Sequence, residues 1–587
     1  MCGIAGIMTA SGAPPDRQAI SAMQRALVHR GPDGEGSHFR EGVGMAQTRL
    51  AIIDLETGNQ PFTLADGTAL IANAEIYNYI ELKAEMRDVA FASASDCEVP
   101  LHLYARDGDR FAERLRGMYA IAIHDPGARR LVLARDPFGI KQLYYAEGDF
   151  GFAFASEPQA LIAAGLVKPR LRADKGAELL QLQFTTGPAT MFEGIWRVLP
   201  GETLVVESGR IARRLRRAAL PEGGEEVLGE AEALARLDAA LTDSVMVHQR
   251  SDVPYGMFLS GGVDSTAVLA LMARLNDRPV KAYTVGFSDT RAADERAHAR
   301  AVAAALGAKH VEVDFTEQDF WRALPGIARA VDDPVADYAE LPTWKLAEVA
   351  RRDDIKVILC GEGGDELFAG YGRYRAMTRP WWRYRRAMRS HGAVEGLGLL
   401  REENREWRAG IAAAESAAAL PGRSRLQIAQ AIDCADWLAH DLLIKLDRCL
   451  MAHGVEGRTP LLDPAVAEAA YRLPARLKLR GRTGKYLLRK WLSDTAPVSQ
   501  PFSRKRGFTV PVGEWIVRRG AAIGPLVARQ AGIQALCRPG AVESVFRARG
   551  RRAGFAAWVL LFYALWHRCH IEGRALAGDA FDALADR

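Results

Sequence analysis

Short apolar runs separated by glycine, proline and aspartate turns characterise the chain up to about residue 210. Four of them follow one another closely, at residues 117–123, 130–134, 142–145 and 151–155. Closely spaced strands of this kind predict an antiparallel sheet packed on another layer. Helical patterns over residues 16–29 and 98–107 lie among them. The pattern therefore predicts an α+β sandwich for this part of the chain.

A charged, Pro- and Gly-containing stretch at residues 213–230 predicts a linker. Beyond it, apolar strands alternate with helical patterns; the strands are at residues 255–259, 280–287, 309–313 and 356–359, and the helices at 265–275 and 294–306. This alternation predicts an α/β doubly wound parallel sheet. Residues 375–587 are mostly helical in pattern. We therefore expect a domain at 1–212, a linker at 213–230 and a second domain at 231–587.

Composition excludes several classes of protein. Of 587 residues, 49% are hydrophobic and 25% charged, and the net charge of +5 does not argue for a nucleic-acid partner. An Arg- and Trp-rich stretch at 380–386 favours a helix packed on the protein. The apolar run 554–566 is shorter than the ~20 residues of a membrane span, so it predicts a buried helix. Seven scattered cysteines without a CxxC pair, and no targeting signal, indicate the cytoplasm.

The first candidate for chemistry is Cys2. After removal of Met1 it would carry both a thiol and a free α-amine, whose pKa is about 7.7–8.0. A nucleophile that uses its own N-terminal amine as base is an established catalytic solution. Taken alone, an accidental cysteine at this position is an equally good explanation.

Four motifs follow Cys2 in order: His-Arg-Gly-Pro-Asp at 29–33, Arg-Leu-Ala-Ile-Ile-Asp at 49–54, Asn-Ala-Glu-Ile-Tyr-Asn at 73–78 and Ser-Asp-Cys-Glu at 95–98. With them the first 210 residues resemble the class II glutaminase domain, an N-terminal nucleophile sandwich, of the glutamine-hydrolysing asparagine synthetases. The resemblance implies that Cys2 attacks the side-chain amide of glutamine. It assigns the oxyanion to the Asn73 side chain and the Ala74 backbone N–H.

The same resemblance implies a glutamine-binding set. Arg49 would fork onto the α-carboxylate, and Glu75 and Asp96 would accept from the α-ammonium. A surface salt bridge for Arg49 and a helix N-cap for Asp96 are the alternatives. The family usually has glycine at positions 74 and 94. Because a left-handed alanine costs roughly 1–2 kcal/mol, we expect a glutaminase that is retained but slower.

A glycine-rich loop, Leu-Ser-Gly-Gly-Val-Asp-Ser at 259–265, lies between a predicted strand and a predicted helix. Its glycines and the helix N-terminus favour phosphate binding. The loop is similar to the pyrophosphate-binding loop of enzymes that split ATP between the α and β phosphates. A second loop, Leu-Cys-Gly-Glu-Gly-Gly-Asp-Glu-Leu-Phe at 359–368, resembles the second signature of the asparagine synthetases. Two loops at adjacent strand ends would face one crevice.

The resemblance implies ATP and Mg²⁺ as the ligands of this crevice, with an ATP pyrophosphatase fold. It assigns Asp264 and Asp365 to the metal, in keeping with the preference of Mg²⁺ for one or two carboxylates plus phosphate oxygens. It assigns ATP to Leu259, Ser260, Gly261, Gly262, Asp264, Ser265, Val285, Cys360 and Gly361. Position 360 is usually serine in the family.

The implied reaction forms an acyl-adenylate, from which ammonia displaces AMP. Glu362 would take the proton from ammonia, and Lys485 would stabilise charge on the phosphate and acyl oxygens. A solvated helix residue is the alternative for Lys485. A third patch, residues 441–463, resembles the family near the acceptor site, but Gly457, Thr459 and Leu461 depart from it. Asp447 and Arg458 there fit structural ion pairs equally well.

The leading hypothesis is asparagine synthesis from aspartate, glutamine and ATP, with a sheltered passage for ammonia and with a homodimer left open. One alternative keeps the machinery and amidates another carboxylate, such as a peptide or cell-surface substrate. A non-catalytic binding protein and an ammonia-dependent synthetase with an impaired glutaminase are the others.

Overall fold

The computed structural model describes residues 2–288, 290, 294–379, 388–402, 405–503 and 510–585. The Arg- and Trp-rich stretch at 380–386 lies outside these residues, so the expectation of a packed helix there stays a prediction.

The strands in these ranges are β1 Cys2–Met8, β2 Gly34–Arg40, β3 Val43–Arg49, β4 Phe62–Thr63, β5 Ala69–Ile76, β6 Gly117–Asp125, β7 Arg130–Arg135, β8 Tyr144–Gly148, β9 Gly151–Ala155, β10 Trp196–Arg197, β11 Glu202–Glu207, β12 Arg210–Arg216, β13 Tyr255–Phe258, β14 Lys281–Gly286, β15 Lys309–Asp314, β16 Val357–Leu359 and β17 Glu456–Arg458.

The α-helices are α1 Arg17–Ala26, α2 Tyr79–Glu85, α3 Val99–Asp107, α4 Pro158–Ala163, α5 Lys175–Leu182, α6 Glu230–His248, α7 Val263–Leu275, α8 Arg296–Ala305, α9 Glu317–Ala330, α10 Glu340–Arg352, α11 Gly364–Leu367, α12 Tyr374–Met377, α13 Ala409–Ala418, α14 Arg425–Ile432, α15 Leu443–Met451, α16 Pro464–Tyr471, α17 Ala475–Lys478, α18 Tyr486–Thr495, α19 Val512–Ala528, α20 Ala531–Leu536, α21 Pro539–Arg547, α22 Arg551–His570 and α23 Ala580–Ala585.

Two six-stranded antiparallel sheets form the N-terminal part, in the orders β10-β8-β9-β1-β3-β2 and β12-β11-β7-β6-β5-β4. Successive side chains of a strand point to opposite faces. Ile4 and Met8 of β1 accordingly pack with Ile71 of β5 between the sheets, whereas Ile7 packs outward against Ile20 of α1. The predicted α+β sandwich is confirmed.

A five-stranded sheet in the order β15-β14-β13-β16-β17 organises the second part. All four pairings in it are parallel, and α7 and α8 connect β13, β14 and β15 in turn. The doubly wound parallel sheet is therefore confirmed. Because β13 and β16 are neighbours, the two glycine-rich loops leave the sheet side by side.

Helices make up most of the C-terminal part, as its pattern predicts. The apolar run 554–566 lies in α22, whose Trp558 and Trp566 are fully buried. Their indole N–H groups donate to Ala336 O at 2.8 Å and Asp332 O at 3.0 Å. None of the helices within the described ranges has the length and apolar character that crossing a membrane requires.

The boundary between the two parts lies close to the predicted linker. Strand β12 runs from Arg210 to Arg216 and pairs with β11, so the second sheet extends past residue 212. Helix α6 begins at Glu230. The domain limits themselves stay a prediction.

Candidate active sites

Cys2 and Arg49 lie directly opposite each other in the antiparallel pair β1–β3. Both are buried, with exposed fractions of 6% each. The Cys2 backbone N–H donates to Asn73 Oδ1 at 3.0 Å. The fold thus brings together three of the residues that the sequence predicts for one site, although they come from three different strands.

Asn73 is fully buried, and its Nδ2 has no hydrogen-bond partner among the described residues. A buried amide donor left unpaired is costly unless a ligand satisfies it. Since Asn73 Oδ1 is held by the Cys2 N–H, the amide is oriented with its donor still available. This is the arrangement that an oxyanion donor needs.

Ala74 occupies an extended position in the middle of β5, opposite Tyr119 of β6, and its φ is not positive. The left-handed strain expected for alanine at positions 74 and 94 is therefore absent from the structure. The N–H groups of Ala72 and Ile76 bond to Gln60 Oε1 and Asp96 Oδ2. Because strand residues alternate, the Ala74 N–H points to that same edge.

Arg49 is held by acceptors on the turn that follows it. Its guanidinium donates to Asn59 Oδ1 at 2.9 Å, to Ile53 O at 3.4 Å and to Asp54 O. These contacts fix its orientation before any ligand binds. A surface salt bridge, the alternative for this residue, does not describe a buried arginine held by carbonyl groups.

Asp96 and Glu75 are both buried near this site. Asp96 Oδ2 accepts from the Ile76 N–H at 2.7 Å, and burial raises the pKa of its carboxyl. Ser95, not Asp96, caps the following turn through the Cys97 N–H. Glu75 Oε2 lies 2.7 Å from an Arg458 nitrogen, so Glu75 contacts a cation supplied by β17 of the parallel sheet.

The second group of predicted residues lines two adjoining cavities at the ends of β13 and β16. One, of about 330 Å³, is lined by Leu259, Val285, Cys360, Gly361 and Glu362 among others. The other, of about 230 Å³, is lined by Gly261, Gly262 and Lys485 among others. Ser260, Asp264, Ser265 and Asp365 belong to both walls. All the residues that the sequence assigns to the crevice are thus brought together.

A Lys485 ammonium joins the two loops by contacting both Asp264 and Asp365, the latter at 2.6 Å. Burial alone would lower the pKa of Lys485, but the two carboxylates outweigh it and raise the pKa. Lys485 is 5% exposed and has a left-handed φ of 56°. It is therefore not a solvated helix residue, and its backbone strain is typical of a functional position.

Glycines make room for this cluster. A Cβ on Gly364 would lie 2.5 Å from the Asp264 carboxylate, and one on Gly370 would lie 1.8 Å from Asp365 Oδ1. Two carboxylates that converge in an open cavity fit Mg²⁺ held jointly with phosphate oxygens. In the described ranges no group of three or more His, Cys, Asp or Glu side chains could hold a metal ion.

Among the residues of the larger cavity that the sequence analysis did not assign to a site are Lys445, Glu366 and Tyr371. Lys445 Nζ lies 3.1 Å from Asp337 Oδ2. Burial raises the pKa of the half-buried Glu362 carboxyl, and Lys445 opposes that rise. The sequence offered a signal for two of them. Lys445 lies in the family-like patch at residues 441–463, and Glu366 is adjacent to Asp365.

Helix α15 links the two sites. Lys445 faces the larger cavity, whereas Asp447 receives two hydrogen bonds from Arg30, at 2.8 and 3.0 Å. Arg30 Nε also donates to Cys2 O at 3.3 Å. Asp447 and Arg458 are both ion-pair residues, and both pairs join the N-terminal sandwich to the second part.

Comparison with known proteins agrees with this division. The asparagine synthase family model matches residues 236–568, and the glutamine amidotransferase domain model matches residues 1–216. Over 97% of its length the chain is 34% identical to a Mycobacterium tuberculosis protein named, provisionally, a glutamine-hydrolyzing asparagine synthetase, of which it covers 98%. It is 31% identical to the Bacillus subtilis glutamine-hydrolyzing asparagine synthetase 1, with 98% of each chain covered.

A more distant relative has another name: amidase chry2 of Gibberella zeae is 30% identical over 64% of this chain and 60% of that protein. The two family models and the full-length relatives together establish that the chain belongs to the asparagine synthase family, with a glutamine amidotransferase domain at its N-terminus.

Proposed function

We propose that this protein is a glutamine-hydrolysing asparagine synthetase. It would convert aspartate, glutamine and ATP into asparagine, glutamate, AMP and pyrophosphate. The observation that carries the proposal is the pairing of two sites in one chain: Cys2 beside the available Asn73 amide, and the Asp264–Lys485–Asp365 cluster between two glycine-rich loops. Its full-length relatives carry this activity in their names.

In the glutamine half, the Cys2 thiol attacks the side-chain amide after loss of Met1. The Cys2 α-amine accepts the thiol proton and delivers it to the departing ammonia. Asn73 Nδ2 and the Ala74 N–H stabilise the oxyanion. Arg49 binds the α-carboxylate, and Asp96 and Glu75 face the α-ammonium. Water then releases glutamate from the thioester.

In the synthetase half, Ser260 to Ser265 and Cys360–Gly361 hold ATP, with Leu259 and Val285 against the nucleotide. Asp264 and Asp365 would hold Mg²⁺, which supplies positive charge to the departing pyrophosphate. Lys485 contributes a further fixed cation beside the phosphates. Glu362 accepts a proton when ammonia attacks the aspartyl-adenylate, and its raised pKa suits that role.

Ammonia would have to move between the sites without being protonated by water. Helix α15 lies between them, with Lys445 at one site and Asp447 at the other. We place a sheltered passage along this helix. The cytoplasm is the proposed location, in keeping with seven free cysteines, and a homodimer is left to measurement.

Product stoichiometry tests the proposal. Purified protein with glutamine, ATP, Mg²⁺ and aspartate should release asparagine, AMP and pyrophosphate in equal amounts. Cys2→Ala should abolish glutamine hydrolysis but keep synthesis from added ammonium chloride. A Cys2→Ala protein that still hydrolyses glutamine would contradict the nucleophile, and no pyrophosphate release with any acceptor would favour a non-catalytic role.

The second candidate is amidation of a different carboxylate. Two observations favour retaining this candidate function. One relative is named an amidase, and the chain departs from the family pattern at Gly457, Thr459 and Leu461. A panel of amino acids, dicarboxylic acids and peptides, with AMP release as the measurement, separates it from asparagine synthesis.

A further inference from the structure

The larger cavity carries charges of both signs beyond its nucleotide end. Glu366, on the one-turn helix α11, is 1% exposed and lines the cavity wall. Lys445 of α15 lines the same cavity and is 6% exposed. Neither side chain is needed by the phosphate chemistry assigned above to Asp264, Asp365 and Lys485.

Glu366 has an unusual set of neighbours for a buried carboxylate. Tyr371 donates its hydroxyl to Glu366 Oε1 at 2.7 Å, and Trp437 in turn donates to the Tyr371 oxygen at 3.2 Å. No Lys, Arg or His side chain within the described ranges forms an ion pair with Glu366. A buried carboxylate without a cationic partner is costly, and a cationic group of a bound ligand would offset that cost.

We infer that Glu366, oriented by Tyr371, binds the α-ammonium group of an amino-acid acceptor and so selects aspartate over acids that lack an amino group. This inference rests on the proposed function. The Lys445 ammonium on the same cavity wall gives the acceptor's α-carboxylate an opposite charge to contact. A zwitterionic amino acid can pair its ammonium group with Glu366 and its α-carboxylate with Lys445. A simple dicarboxylic acid leaves Glu366 facing a negative ligand.

The decisive variant is Glu366→Gln in the full-length protein, assayed with ATP, Mg²⁺ and ammonium chloride so that the glutaminase plays no part. Losing a charged hydrogen-bond partner should raise KM for aspartate about 10- to 100-fold, with kcat and KM for ATP little changed. The preference of the wild type for aspartate over succinate should shrink by a similar factor. If Glu366 had a merely structural role, the substitution would lower the turnover of aspartate and of succinate by the same factor.

Glu340→Gln is the matched control. Glu340 is also a buried carboxyl near Lys445, but it does not line the cavity, and burial raises its pKa well above the ordinary value. Because its side chain does not line the cavity, glutamine at position 340 should leave KM for aspartate unchanged. Glutamine hydrolysis at Cys2 reports that each variant is folded. Should Glu366→Gln fail to fold, Tyr371→Phe should give a smaller rise in the same KM.

Two failures are distinguishable. If the wild type turns over aspartate and Glu366→Gln keeps both its KM and its preference over succinate, the role of Glu366 is wrong and the proposed function stands. If the wild type makes no pyrophosphate with aspartate, the proposed function itself fails.

Discussion

At the scale of single residues, the Asn73 amide is the feature on which the proposed glutaminase site at Cys2 most depends. Its oxygen is held by the Cys2 N–H while its nitrogen has no partner in the described part of the chain. We expect Asn73→Ala to lower kcat for glutamine hydrolysis by about 100- to 1000-fold, as loss of one oxyanion donor does. Synthesis from ammonium chloride should be unchanged; loss of both activities would indicate misfolding instead.

The backbone N–H of Ala74 is the other proposed oxyanion donor, and substitution at this position should not change the rate of glutamine hydrolysis. Because it is extended within β5, alanine carries no left-handed strain, and glycine offers the same N–H. Ala74→Gly should therefore not accelerate glutamine hydrolysis, and should cost roughly 0.5–1 kcal/mol of stability as glycine does in a strand. Steady-state kinetics measure the rate of glutamine hydrolysis, and urea unfolding measures the change in stability. A clearly faster variant would restore the expectation of a slowed glutaminase.

At the scale of elements, the loop after β16 depends on glycine at position 370. A Cβ there would lie 1.8 Å from Asp365 Oδ1 and 2.2 Å from Lys485 Cε. Gly370→Ala should displace the cluster by about 1 Å, which can cost about 100-fold in rate. Pyrophosphate release measures this, while glutamine hydrolysis should persist.

Gly540→Ala is the control for that substitution. Gly540 lies in α21, and a Cβ there meets nothing within 4 Å. Alanine should leave pyrophosphate release intact and stabilise the helix by up to ~1 kcal/mol. Equal activity of the two alanine variants would show that the cluster tolerates the displacement.

The helices and strands also show which parts of the fold can be predicted from the sequence alone. Alternating apolar patterns predict β6, β7 and β13 to β16 because each is an apolar strand between turns. Strand β17, Glu456–Arg458, escapes that logic: its sequence is polar, yet it is wholly buried because ion pairs satisfy its charges. The π-helical segment Asp433–Leu442, just before α15, has no pattern of its own either. Periodicity in a single sequence indicates which apolar side chains are buried, but it does not indicate which buried charges pair with each other.

The same limit applies to the sites. Ordered motifs single out Cys2, Asn73 and the two glycine-rich loops as candidates, because each motif is local. Arg30 lies in such a motif, but its partner Asp447 is 417 residues away in sequence. Only the fold brings them together, through packing of the sandwich against α15.

At the scale of the whole molecule, Asp447 is one of the residues through which the N-terminal sandwich contacts the second part. Burial alone would raise the pKa of Asp447, but Arg30 outweighs it and holds the pKa below its ordinary value. Asp447→Asn removes one charge of a buried pair, a change that costs about 3–5 kcal/mol. We expect the lower end because Glu157 still contacts Arg30, at 2.7 Å. Urea unfolding at neutral pH measures the loss.

The pH dependence of that loss identifies its cause. A carboxylate whose folded pKa is lowered stabilises the protein above its ordinary pKa of about 3.9, and the contribution disappears as pH falls through the folded value. The free-energy gap between wild type and Asp447→Asn should therefore stay constant from pH 7 to 5 and close only below about pH 4. A gap that closes between pH 7 and 5 would assign the effect to another group.

Because Arg30 also bonds Cys2 O, the Asp447→Asn variant should make less asparagine per glutamine hydrolysed, while each half-reaction alone continues.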